Sequence, residues 1–96
     1  MGEAGLVEDM NELASRFVSE TEARESILSE AATAAKSHED PNAEYYVKVM
    51  KKIQDRGNEY VQNEQDRLGR LLKGDVSAKK SDELTKRRNI LRKFEL

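Results

Sequence analysis

Residues 40–57 read DPNAEYYVKVMKKIQDRG, and this stretch decides the fold. Asp40 suits an N-cap, because its carboxylate can accept an amide hydrogen left orphaned by a first helical turn. Pro41 suits the first helical position, where its missing N–H removes nothing the helix would use. Ala43, Tyr46, Val47, Met50 and Ile53 then recur at steps of three and four, which predicts an amphipathic helix over about 41–56. Tyr45 and Val49 widen the apolar stripe, so this helix is expected to be the central one. Gly57 can take positive φ and end it.

Outward from this helix the same spacing repeats. Leu6, Val7, Met10, Leu13, Ala14 and Phe17 predict a first helix over about 6–18. Ser19 to Glu22 reads as a capping box for a second helix, with Ala23, Ile27, Ala31 and Ala34 on a small face that permits close approach. A fourth helix is expected from about Val61, carrying Leu68, Leu71 and Leu72, with Gly74 at its end. Gly69 inside it costs about 1 kcal/mol relative to alanine, which suggests a close helix crossing there. Ser77 can cap a fifth helix that holds Leu84, Ile90, Leu91 and Phe94. The fold class expected is all-α, a compact bundle of five short amphipathic helices in a single domain over 1–96. Residues 1–5 are expected to be disordered or left over from expression.

Composition sets the limits. Ninety-six residues form one modest core with no room for a deep substrate cavity. Charged residues are 38% of the chain, and only their ordered alternation with the 36% apolar residues separates it from a disordered one. No cysteine is present, so the chain can supply no thiolate nucleophile, disulfide or zinc-thiolate site. No apolar run reaches the roughly 18–20 residues of a membrane span, and no signal-peptide core follows Met1. The net charge of -2 is unevenly placed. Residues 1–44 hold 11 acids and 3 bases (-8), whereas residues 45–96 hold 8 acids and 14 bases (+6). Either the two halves attract each other within the fold, or their solvated faces simply differ, or the basic half docks an acidic partner.

The search for catalytic chemistry finds little. His38 is the one histidine, expected in a surface loop, and no second metal-binding histidine accompanies it. Glu8-Asp9 and Asp82-Glu83 are adjacent in sequence and so do not face each other on a helix. No calcium loop, glycine-rich phosphate cradle or nucleophile–base set can be drawn. No metal or cofactor is expected. The basic cluster Lys79, Lys80, Lys86, Arg87, Arg88, Arg92 and Lys93 raises nucleic-acid binding. A pI near 5.5 and the lack of interleaved aromatics argue against it. Tyr45, Tyr46 and Tyr60 are expected to be half-buried with their hydroxyls reaching water.

The stretch from Tyr45 to Leu72, followed by Lys79 to Phe94, resembles the C-terminal helical D domain of the protein disulfide isomerase-related proteins of the endoplasmic reticulum. The carrying features are Tyr46-x-x-x-Met50-x-x-Ile53, Gly57 before Glu59-Tyr60, Glu64-x-x-Arg67-Leu68-x-Arg70-Leu71-Leu72, and Lys80 through Asn89-Ile90-Leu91 to Phe94. Residues 6–40 match more loosely, through the helix pattern and Glu22-Ala23-Arg24. The resemblance implies five helices, a place after thioredoxin-like domains of the same parent chain, and no catalysis by this domain. It also implies the lumen of the endoplasmic reticulum and partners among unfolded secretory client proteins or the acidic arms of lectin chaperones. Neither nucleic acid nor membrane is an expected partner.

The basic face proposed for such partners comprises Lys48, Lys51, Lys52, Lys79, Lys80, Lys86, Arg87 and Arg88. The alternative is a structural or dimerising appendage with no ligand of its own. Lys93, Phe94, Glu95 and Leu96 differ at one position from the retrieval sequence Lys-Asp-Glu-Leu and are a candidate retrieval tail. Phe94, one turn from Ile90 and Leu91, is also expected to pack in the core.

Overall fold

Helix α3 (Asn42–Arg56) forms as its sequence directs. The Asp40 carboxylate accepts the Asn42 amide at 2.9 Å, so Asp40 satisfies the opening turn with Pro41 beside it. At the other end Gly57 has φ +87°, a backbone region that strains other residues, and its N–H donates to the Ile53 carbonyl at 2.7 Å. Ala43, Tyr46, Val47, Val49, Met50 and Ile53 are all buried.

The computed structural model describes residues 5–95. Around α3 stand α1 (Glu8–Ser19), α2 (Arg24–Ser37), α4 (Glu59–Lys73) and α5 (Ala78–Arg92), with a single 3-10 turn at Thr21–Ala23 before α2. Among the described residues there is no strand. Helix α3 packs against each of the other four. Helices α1 and α2 pair on one side of it and α4 and α5 on the other, and no helix of the first pair packs on a helix of the second. The molecule measures 40 × 29 × 21 Å.

Contacts beside the helix packing join the two pairs across α3. Phe94 meets the Phe17 ring edge-on at 6.1 Å and lies 6.2 Å from the Tyr46 ring. Arg24 Nη1 donates to Asn58 Oδ1 at 3.2 Å. Gly5, at φ +83°, approaches α5 so closely that a Cβ there would lie 2.7 Å from Lys86 Cβ.

Several local expectations are corrected. Helix α1 begins at Glu8, because Val7 is extended and donates its N–H to the Tyr46 hydroxyl at 3.1 Å. The capping box at Ser19 does not form: Ser19 is the last residue of α1, and its hydroxyl donates to the Ser15 carbonyl at 3.0 Å. Arg24 organises that corner instead. Its Nε donates to the Phe17 carbonyl at 2.8 Å and its guanidinium lies 4.9 Å above the Phe17 ring. A cation thus satisfies the carbonyl end of α1, where the helix dipole favours positive charge. The inner face of α2 is Ile27, Ala31 and Ala35, with Ala34 only half-buried. Helix α4 starts at Glu59, and Leu71 near its end is 40% exposed. Ser77 caps α5, accepting the Lys80 amide at 3.1 Å.

The tyrosines also differ from expectation. Tyr46 is fully buried, and its hydroxyl donates to Asn11 Oδ1 rather than reaching water. Tyr60 is buried as well, whereas Tyr45 is half-buried. Burial first of all pushes the Tyr46 hydroxyl above its ordinary pKa, so it stays a neutral donor.

Two substitutions test this packing. Phe94 is 2% exposed, so Phe94→Ala is expected to cost about 3–5 kcal/mol in urea unfolding. The nearest atoms to a Cβ at Gly69 would be those of the Arg88 guanidinium, at 3.7 Å, which is ordinary contact. The α4–α5 crossing therefore does not depend on a glycine, and Gly69→Ala is expected to stabilise the chain by about 0.5–1 kcal/mol in the same measurement.

Candidate functional site

The basic residues singled out from the sequence do not share one surface. Lys48 on α3 and Lys86 and Arg87 on α5 come together along a groove with Tyr45, Glu44 and Glu83. Lys51 lies toward α2 and shares a second groove with Lys48. Lys52 is half-buried. Lys79 and Lys80 are exposed in the opening turn of α5. Arg88 is drawn toward α4, where its Nε donates to Gln65 Oε1 at 3.3 Å.

At the α3–α5 groove Arg87 stands 5.7 Å from the Tyr45 ring centroid, a cation–π contact that holds the guanidinium at the groove edge. The Tyr45 hydroxyl is buried and has no hydrogen-bond partner among the described residues. Burial, then the neighbouring Tyr60 phenol, pushes its pKa far above the ordinary phenol value. Beside it Arg67 grips Glu64 with two parallel bonds, Nε to Oε1 at 2.7 Å and Nη2 to Oε2 at 2.6 Å. The Glu64 side chain is only 13% exposed. Arg67's hydrogen bonds hold the Glu64 carboxyl below its ordinary range, with burial opposing and the charges of Lys48 and Arg87 assisting.

None of the ion pairs among the described residues joins residues 1–44 to residues 45–96. Arg16 pairs with Glu20 and Glu30, and His38 lies at hydrogen-bond distance from Asp9, all within the acidic half. Arg67–Glu64 and Lys86–Asp82 lie within the basic half. The basic excess of residues 45–96 is therefore not neutralised by ion pairs to the acidic half among the described residues.

The tail is placed residue by residue. Lys93 is exposed, Phe94 is in the core, and Glu95 Oε1 accepts from Gln65 Nε2 at 3.3 Å. Leu96 lies outside the described residues, as do residues 1–4 of the segment expected to be disordered. His38 is half-buried at the end of α2, with Nε2 3.0 Å from Asp9 Oδ2. Among the described residues no group of three His, Asp or Glu side chains could hold a metal ion, and no helix is long and apolar enough to cross a membrane.

The sequence reading missed Lys36, which it counted with the acidic half. Only three residues separate Ser37 from Pro41, so α2 must fold back on α3; that short connection was the signal placing Lys36 beside Lys51.

The Glu64–Arg67 clamp makes a prediction for pH. A carboxyl with a depressed folded-state pKa stabilises the fold fully above its unfolded value, here near 4.5, and loses that contribution as pH falls through the folded value. Arg67→Met is therefore expected to move the Glu64 titration upward, read by carboxyl-carbon NMR. The variant is also expected to lose less stability than the parent below about pH 4.5.

Comparison with known proteins agrees with the fold. The family model for the endoplasmic reticulum protein ERp29, C-terminal domain, matches residues 5–94. A probable protein disulfide-isomerase A6 of Medicago sativa is 40% identical over 93 residues, covering 93% of this chain and 26% of the relative. Protein disulfide-isomerase 1 of Dictyostelium discoideum is 36% identical, over 95% of this chain and 26% of the relative. Protein windbeutel of Drosophila melanogaster is 31% identical, over 98% of this chain and 38% of the relative. The chain thus spans about a quarter of the length of the first two relatives. With five helices on the page and a match running from the first described residue to Phe94, the chain belongs to the family of the ERp29 C-terminal domain.

Proposed function

We propose that this chain is the non-catalytic C-terminal module of a disulfide isomerase of the endoplasmic reticulum lumen, and that it binds acidic arms of lectin chaperones or unfolded secretory clients there. The observation that carries the reading is a groove whose three bases, Lys48, Lys86 and Arg87, outnumber its two acids, Glu44 and Glu83. Lys48 and Arg87 line the α3–α5 groove without an ion pair among the described residues, and Arg87 is steadied by the Tyr45 ring. A positive groove beside an aromatic ring suits carboxylates interspersed with apolar residues, and it speeds encounter with an acidic partner. Family membership supports the place at the end of an isomerase whose thioredoxin-like domains carry the dithiol chemistry, since this chain has no cysteine.

A second reading rests on Leu71. It is the exposed large apolar residue among those described, next to half-buried Leu72 at the end of α4. A stabilising or dimerising appendage would cover it against a neighbouring domain or a second copy. As for the tail, a receptor reading Lys93–Leu96 as an extended peptide would first have to draw Phe94 out of the core.

The readings separate in one titration. Adding an acidic lectin-chaperone arm to the isotope-labelled chain is expected to shift NMR signals of Tyr45, Lys48, Lys86 and Arg87 as one contiguous patch. The affinity is expected to fall as salt rises from about 50 to 500 mM, because exposed charge pairs are screened. No shift at millimolar arm, and none with an unfolded model peptide, would leave the appendage reading.

A further inference from the structure

The second groove lies between α2 and α3. Its floor is Ala32, Ala35 and Val47, and its rim carries Lys36, Lys48 and Lys51. The small side chains of α2 let the helices approach closely enough that the floor is shallow. All three lysines are exposed, and none has an ion-pair partner among the described residues. Glu44 is the one acid in the lining, which leaves a local excess of two positive charges (three lysines less one glutamate). The groove encloses about 330 Å³, at the bottom of the range of about 300–1,000 Å³ for ligand sites, so it holds one or two side chains rather than a metabolite-sized substrate. The lysine stems extend the apolar floor while their ammonium groups remain in water.

We propose that this α2–α3 groove binds a short acidic peptide segment with one aliphatic anchor residue. The anchor lies on Ala32, Ala35 and Val47, and flanking carboxylates meet Lys36, Lys48 and Lys51. Charge complementarity selects this occupant. A purely apolar client segment gains nothing from the three ammonium groups, and a lone phosphate leaves the apolar floor uncovered. The inference rests on the reading that the chain binds acidic protein partners, and it assigns them an anchoring site distinct from the α3–α5 groove. Lys48 belongs to both grooves, so one acidic segment crossing α3 can engage the two together.

The test uses the chain and a synthetic heptapeptide, Glu-Asp-Asp-Leu-Asp-Glu-Asp, blocked at both ends. NMR titration is expected to shift the amides of Ala32, Ala35, Lys36, Val47 and Lys51. Replacing the peptide leucine by serine is expected to weaken binding at least fivefold. Ala32→Gln fills the floor without changing charge, and Lys51→Glu reverses a rim charge at an exposed position that does not affect folding. Each is expected to weaken binding at least fivefold, whereas Lys73→Glu, a matched charge reversal at the end of α4, changes it less than twofold. Shifts confined to Lys86 and Arg87 would overturn this groove while leaving the broader function standing. Equal binding by the Ala32→Gln and Lys51→Glu chains would also overturn it. No shift with any acidic peptide would overturn both.

Discussion

Tyr46 is the point at which the beginning, middle and end of the chain meet. Its hydroxyl accepts the Val7 N–H and donates to Asn11, and its ring lies against Phe94, which in turn meets Phe17 edge-on. Each aromatic pair contributes about 0.5–1.5 kcal/mol beyond its buried area. The connectivity matters more than that sum. No helix of the α1–α2 pair packs on α4 or α5, so these contacts, with Arg24 to Asn58 and Gly5 against Lys86, are what make two helix pairs and a central helix one unit. Without them α3 would still carry a pair on each side, but the sides would be coupled only through α3.

The same architecture fixes the electrostatics. Helix α3 stands between an acidic pair and a basic pair, and no ion pair among the described residues crosses it. The charges pair locally or face water. An ion pair between the halves would contribute little at the surface.

Much of this was legible in the sequence. The DPNA opening, the apolar stripe and Gly57 give α3 almost to the residue, because cap, spacing and stop signal agree there. Gly74 and Ser77 mark the α4–α5 turn for the same reason. Boundaries failed where tertiary contacts overrode local signals. Val7 stays extended to reach Tyr46, and Ser19 is absorbed into α1 because Arg24, seven residues beyond Phe17, satisfies the helix end from outside. The candidate site was only half legible. Counting basic residues found Lys48, Lys86 and Arg87 but could not show that Lys79, Lys80 and Arg88 have different surroundings. Lys36 was hidden by the acidic composition around it, since its neighbours in space lie on another helix.

The central claim is that the Tyr46 cluster ties both ends of the chain into one cooperative core. Val7 tests it most directly. Its amide lies outside any helix and is held by the Tyr46 hydroxyl. Native-state hydrogen exchange compares that amide with those of Met50 and Ile53, buried in α3. The account predicts that Val7 exchanges within about tenfold of them, and that Tyr46→Phe removes its protection selectively. Rapid exchange at Val7 in the unaltered chain, with α3 still protected, would contradict it.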